Sequence, residues 1–327
     1  MFEKTAKHIM NTIANARHIL LVPHQHPDGD ALGSCTAFME FLSAMGKSHA
    51  AFCATPSSPR LAFLPQTMRV VTNADLWRHP ELDLIIVFDS GDLRYAGIET
   101  YVASFEKRPM LVVIDHHITN ERYGDMNLVD PGASSTAELV YRFFKANNIV
   151  VTPRMATALL TGILTDTDNF TNAATTASAF TIGSNLILHG ADAKQITASV
   201  FQDKTIPTLH LWGIMLSRLT RHDELNLVYT HIAQEDLRLT GAKESDIEGM
   251  ANYMNMIGDT DMTLILKELE SGACKGSLRT TKDVTDVSRI AKTLGGGGHK
   301  KAAGFTVSGP IPQAIDLIIQ TLYTLRV

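Results

Sequence analysis

With 327 residues, 45% of them hydrophobic, the chain exceeds the usual size of one compact core, so two medium domains are expected. A formal net charge of -5 excludes a protein that coats long nucleic acids by counterion release, and leaves room for a small basic pocket that takes a short phosphorylated ligand. Three scattered cysteines, Cys35, Cys53 and Cys274, exclude a disulfide framework and fit a reducing cytoplasm, and no apolar run approaches the roughly 18 residues of a membrane span.

Short aliphatic runs bounded by turn residues recur in the first half: ILLV (19 to 22), AAFC (50 to 53), LIIVF (84 to 88) and LVVI (111 to 114). They read as buried strands of a parallel sheet. Helical patterns lie between them, clearest at Leu32, Cys35, Met39 and Leu42, spaced three, four and three apart so that all face one side. Strand, helix, strand implies an α/β domain with right-handed crossovers and helices on both faces of the sheet. From Ser134 to about His222 helix follows helix, and this stretch is expected to cap the first domain and bridge outward. Strand-like runs return at NLVYTHI (226 to 232), MTLILKEL (262 to 269), KGSLRT (275 to 280) and GFTVSG. The expected division is a domain over 1–206, a linker helix over 207–223 and a smaller α+β domain over 224–327.

Three of the aliphatic strands end in loops rich in acids and histidines: ILLVPHQHPDGD, LIIVFDSGD and LVVIDHH. In an open parallel sheet, loops at the carboxyl ends of the strands form the crevice where ligands bind, so Asp28, Asp30, Asp89, Asp115, His116 and His117 are expected to converge there. Asp166, in TGILTDTDNF, follows an apolar helical stretch and would be presented at that helix's C-terminal end. Mixed imidazole and carboxylate ligands without cysteine suit Mn²⁺, with Mg²⁺ or Co²⁺ as alternatives, better than structural zinc. The carboxylates exceed what one cation requires. Two divalent ions about 3.5 to 4 Å apart, sharing one carboxylate, would use them all, and the chemistry of such a pair is phosphoester hydrolysis.

Near the end, LGGGGHKKAAG has glycines that let backbone N–H groups approach a phosphate, with His299 adding a donor or stacking surface. Asp92 and Asp168 lie beside candidate ligands and are left out of the site, and His26 is read as supporting a ligand or as packing. Arg94, in GDLRYAG, has two readings, a substrate contact or a salt bridge that supports the Asp89 loop.

Taken together, HQHPDGDALGS, FDSGD, IDHH, TGILTDTD and LGGGGHKKAAG resemble the motifs of the DHH/DHHA1 phosphoesterase family, in the family's order. The closest resemblance is to its nanoRNase (oligoribonuclease) and pAp phosphatase branch, which hydrolyses short oligoribonucleotides and 3'-phosphoadenosine 5'-phosphate (pAp). The resemblance implies that His24, Asp28 and Asp89 hold one metal, that Asp30, Asp89, His116 and Asp166 hold a second, and that Asp89 bridges. A hydroxide activated by both metals would attack phosphorus. His117 would face the substrate phosphate, and Asp115 would orient the loop or an imidazole. Gly297, Gly298, His299 and Arg279 would form a substrate clamp, with the active site in the cleft between the domains. The implied partners are short single-stranded RNA or small phosphorylated nucleotides, with neither long duplexes nor membranes, and a homodimer is one option for the assembly.

Related alternatives are hydrolysis of pApA or cyclic di-AMP, and exopolyphosphatase or inorganic pyrophosphatase activity. The last two share the N-terminal motifs but lack the glycine–histidine clamp. A non-enzymatic nucleotide-binding regulatory module would be favoured by loss of a ligand position, and none is lost.

Overall fold

A computed structural model describes residues 2–201 and 204–325. The chain divides into two compact units, Met1–Asp203 and Lys204–Val327. The first begins with α1 (Phe2–Asn15), β1 (His18–Pro23), α2 (Gly29–Ala44), β2 (His49–Phe52), β3 (Val70–Val71) and β4 (Leu82–Phe88). It continues with α3 (Glu99–Ala103), β5 (Met110–Asp115), β6 (Met126–Val129), α4 (Thr136–Ala146), α5 (Pro153–Asp166), α6 (Ala177–Leu188) and α7 (Ala193–Ile196).

All six strands are parallel, in the order β3-β2-β1-β4-β5-β6. The pleat sends alternate residues to opposite faces. Ile19 and Leu21, Leu84, Ile86 and Phe88, and Val112 and Ile114 enter the core shared with α1, α2, α4 and α5. Leu20, Val22, Ile85, Val87 and Leu111 pack on the other face with Phe52, Trp77, Ala96 and Ile98. The sheet is therefore covered on both sides, as a run of apolar residues without alternation requires. Its order reverses between β1 and β4, and a crevice opens at such a switch point beyond the carboxyl ends of the strands.

One helix pair sets the spacing there. A Cβ on Gly33 of α2 would lie 2.4 Å from the carbonyl oxygen of Ala158, and one on Gly162 of α5 would lie 2.6 Å from Asp30 Oδ1. Only glycines allow α2 and α5 to approach this closely.

The second unit contains α8 (Ile206–Ser217), β7 (Thr220–His222), β8 (Leu227–Ile232), α9 (Gln234–Thr240), α10 (Glu248–Met254) and β9 (Met262–Glu268). It ends with β10 (Cys274–Arg279), α11 (Val287–Thr293), β11 (Gly297–His299), β12 (Ala302–Val307) and α12 (Ile311–Leu325). Its sheet, β11-β12-β10-β9-β8-β7, is mixed, only β8 and β9 being parallel. Leu264 and Leu266 pack towards α11 and α12, whereas Ile265 packs towards α8 and α10.

The stretch read as a linker helix over 207–223 is helical only to Ser217, because Thr220–His222 turns back to pair with β8. Leu211 and Met215 of α8 are fully buried in the second unit's core. The edge strands β3, β6, β7 and β11 escaped the sequence reading, being only two to four residues long. Among the described residues no helix is long and apolar enough to cross a membrane.

Candidate metal centre

The loops after β1, β4 and β5 meet at the switch point, joined by the first turn of α2 and the last residue of α5. His24 directly follows β1 and is 3% exposed. Its Nδ1 is 2.7 Å from the carbonyl oxygen of Gln25, which makes Nδ1 the protonated nitrogen and leaves the Nε2 lone pair free. That Nε2 lies 3.7 Å from Asp28 Oδ1 and 3.6 Å from Asp89 Oδ2. Asp28 caps α2, accepting the N–H groups of Asp30 and Ala31 at 3.0 Å each.

Asp30 is fully buried, and its oxygens accept the N–H groups of Thr136 at 2.6 Å and Ala137 at 2.8 Å. The positive end of α4 thus neutralises part of its charge. Asp89, one residue past β4, has φ +58, a left-handed conformation that an aspartate tolerates better than most residues. Its N–H donates to the Ile114 carbonyl at 3.0 Å, and its Oδ1 accepts the Thr136 hydroxyl at 2.9 Å.

His116 Nε2 is 3.6 Å from Asp89 Oδ1 and 3.3 Å from Asp166 Oδ2. Asp115, the last residue of β5, is fully buried and faces His117, whose Nδ1 is 2.7 Å from Asp115 Oδ1. Asn120 Nδ2 donates to the other oxygen, Oδ2.

Three sets of ligand atoms, each mutually within 4.8 Å, could hold a metal ion: His24, Asp28 and Asp89; Asp30, His116 and Asp166; and Asp89, His116 and His117. The charges fit a cation. Among the described residues only imidazoles ion-pair with the ligand-set carboxylates. Burial, followed by repulsion from Asp28, raises the pKa of Asp89 to about 7, and burial with Asp89 and Asp28 raises Asp166 to about 8. Asp30 is raised well above the ordinary carboxylate range by burial and by Asp89 and Asp166. Crowded, buried carboxylates of this kind call for positive charge.

Asp115 differs. Burial works against its charge, but hydrogen bonds from His117 and Asn120 outweigh it and hold its pKa low. In return the Asp115 bond, the largest influence on His117, raises that imidazole to about 9.

The structure brings together His24, Asp28, Asp30, Asp89, Asp115, His116, His117 and Asp166. Asp92 instead caps its own turn, accepting the N–H groups of Arg94 and Tyr95, and Arg94 pairs with Glu99 at 3.2 Å. His26 is exposed, with its N–H on the Thr55 hydroxyl. Sequence reasoning missed Thr136, although the N-cap residue Ser135 beside it marks a helix start. It also missed Tyr95, whose ring centroid lies 4.8 Å from that of His24 and 6.5 Å from that of His117.

In the second unit, Arg279 and His299 are both register partners of Ala302, one on each side of β12. The only hydrogen bond of the Arg279 guanidinium among the described residues goes to its neighbour's carbonyl, and burial lowers its pKa. Lys301 is engaged by Asp283 at 2.8 Å. The glycines are not equivalent. Gly298 has φ +141, and a Cβ there would come within 2.5 Å of Ala303 Cα, whereas a Cβ on Gly297 would meet nothing.

A parallel sheet with clustered acids and histidines at its switch point, followed by a separate mixed-sheet unit, defines a two-domain hydrolase architecture. Residues 18–163 match the DHH family N-terminal domain and residues 228–324 the DHHA1 domain. The chain belongs to the DHH/DHHA1 phosphoesterase family. It is 32% identical over 307 residues to the bifunctional oligoribonuclease and PAP phosphatase NrnA of Thermus thermophilus, covering 93% of this chain and 89% of that one. The Bacillus subtilis protein of the same name is 24% identical, with 91% and 92% covered. Among solved structures, an exopolyphosphatase-related protein from Bacteroides fragilis superposes with a TM-score of 0.86 at 25% identity, covering 98% of this chain and 96% of that one.

Proposed function

We propose that this protein hydrolyses the phosphoester bonds of short oligoribonucleotides and of pAp, using two divalent cations, with Mn²⁺ favoured because imidazoles join the carboxylates. His24, Asp28 and Asp89 would hold one ion, and Asp30, Asp89, His116 and Asp166 the other. The observation that supports this reading is the posture of Asp89: Oδ2 faces His24 Nε2 and Oδ1 faces His116 Nε2, each at 3.6 Å, so its two oxygens address two different imidazoles. Such ions supply neutralisation of the phosphoryl oxygens and a lowered pKa for a water molecule.

The remaining work belongs to side chains of this chain. Asp115 orients His117 through Nδ1, and as the acceptor of that bond it favours the charged form of the imidazole. Nε2–H is then a donor to the phosphate or to the departing oxygen. Thr136 and the first turn of α4 hold Asp89 and Asp30 in place. Arg279, Gly297, Gly298 and His299 would bind a substrate phosphate, Arg279 through a guanidinium that no acid occupies among the described residues. The names of the Thermus and Bacillus relatives support short RNA and pAp as substrates.

The test is a turnover panel with Mn²⁺, comparing pAp, pApA, a five-nucleotide RNA, a 24-nucleotide RNA, cyclic di-AMP and pyrophosphate. Fast release of mononucleotides from the short RNAs, and of phosphate from pAp, is expected, with little action on the 24-mer or pyrophosphate. Equal rates on the 24-mer would remove the preference for short substrates. Preference for pyrophosphate would move the chain to a different activity within the same fold.

A further inference from the structure

Tyr95 is held unlike its neighbours. Ala96 and Ile98 are fully buried and Leu93 packs partly against them, yet Tyr95 between them is 46% exposed. This exposure is not looseness. The Tyr95 N–H donates to Asp92 Oδ1 at 2.7 Å, and its carbonyl accepts the Gln25 N–H at 3.2 Å. Gln25 Nε2 also donates to the Arg94 carbonyl at 3.2 Å. The turn is therefore tied at two points to the loop that carries His24 and Asp28.

The ring sits over His24, tilted by 33°, and stands at 66° to His117. Its hydroxyl has no hydrogen-bond partner among the described residues. A tyrosine kept for packing normally buries its ring and satisfies its hydroxyl. This one is pinned at the backbone, lies beside two imidazoles and is nearly half exposed.

Resting on the nucleotide-hydrolase reading above, we infer that the exposed ring of Tyr95 is a stacking platform for the base of the nucleoside whose phosphate is held at the metal centre. A phosphate among His24, Asp89 and His116 carries its base one ribose away, and the Tyr95 ring stands at the border of that cluster, 4.8 Å from the His24 ring and 6.5 Å from the His117 ring. Stacking tolerates any base, since every base has a π-face. The platform therefore selects nucleotides over other phosphate esters without selecting among nucleotides.

The experiment measures binding of AMP and of ribose 5-phosphate, which lacks the base, by calorimetry in the presence of Mn²⁺, for the wild type, Tyr95→Leu and Tyr95→Phe. Metal content measured on each variant controls for damage to His24. The wild type should prefer AMP by about tenfold to a hundredfold. Tyr95→Leu should lose that preference while binding ribose 5-phosphate as before, and Tyr95→Phe should keep it. Equal preference in the wild type and Tyr95→Leu overturns the inference, as does a Tyr95→Phe variant that behaves like leucine, since the hydroxyl rather than the face would then be acting. Because binding is read without turnover, the platform can stand even if the wild type hydrolyses neither pAp nor short RNA, which would defeat the proposed function alone.

Discussion

The candidate metal centre and the glycine strand proposed to bind phosphate are built against different costs. The first is an electrostatic problem: Asp30, Asp89 and Asp166 are packed together with raised pKa values. The second is a steric one, in which Gly298 adopts φ +141 because a side chain would collide with Ala303. Charge crowding is relieved by a cation and spatial crowding by the absence of a Cβ, so the two regions should respond to different perturbations.

The largest expected contrast comes from Asp89→Ala. Turnover should fall on the order of a thousandfold, about 4 kcal/mol of transition-state stabilisation, and bound metal should drop when measured by elemental analysis. A variant that keeps two equivalents of metal and the wild-type rate would remove Asp89 as the shared carboxylate. Thr136→Val deletes only the hydroxyl on Asp89 Oδ1. Metal affinity should weaken by about 10- to 100-fold, with turnover restored at saturating Mn²⁺, as a metal titration of activity would reveal.

The steric side is probed by Gly298→Ala, expected to destabilise the second unit by about 1–3 kcal/mol, whereas Gly297→Ala should stay within about 0.5 kcal/mol of wild type. Each unit contains one of the two tryptophans, Trp77 and Trp212. Fluorescence of Trp212 in a Trp77→Phe background during urea unfolding reports on the second unit alone. Equal effects at the two glycines would erase the steric distinction.

The last comparison is a pH response. In the metal-free protein, carboxylates raised to about 7 and 8 bind protons more tightly folded than unfolded. The stability this gives is fully present below the unfolded carboxylate value near 4 and is lost as pH rises through the folded values. Melting followed through Trp77 in a Trp212→Phe background should therefore rise between pH 8 and pH 5, and saturating metal should flatten the trend. In the second unit, Asp236 has the opposite sign. Burial opposes its charge, but Arg218, at 2.9 Å from Oδ1, prevails and lowers its pKa, so its contribution is lost as pH falls.

Much of the first region could be read from sequence because its determinants are local: an aliphatic run followed at once by acids or histidines. What escaped was contributed across the chain. Thr136 reaches Asp89 from a helix 47 residues later, and no spacing rule encodes that contact. Arg94 had two readings until Glu99 was found beside it. The glycine run was legible as a place needing glycine, but not for which reason. Gly298 is demanded by β12, and of the two clamp glycines only Gly297 leaves open space. Tyr95 attracted no notice because a single aromatic between Arg94 and Ala96 carries no pattern. Its meaning comes from the imidazoles brought to it by two other strands.

The contact between α2 and α5 acts as a gauge. Asp30 and Asp166 are carried by helices packed so closely that a Cβ on Gly33 would meet the Ala158 carbonyl oxygen and one on Gly162 would meet Asp30 Oδ1, so the backbone of the helix pair braces the gap between these two carboxylates. A rigid gap discriminates by ionic radius: Mg²⁺ and its near neighbours bind oxygen at about 2.0–2.1 Å and Ca²⁺ at about 2.3–2.6 Å, and the larger ion would have to prise two helices apart. One methyl group at position 33, a turn along α2 from Asp30, would reset the calibre of the site.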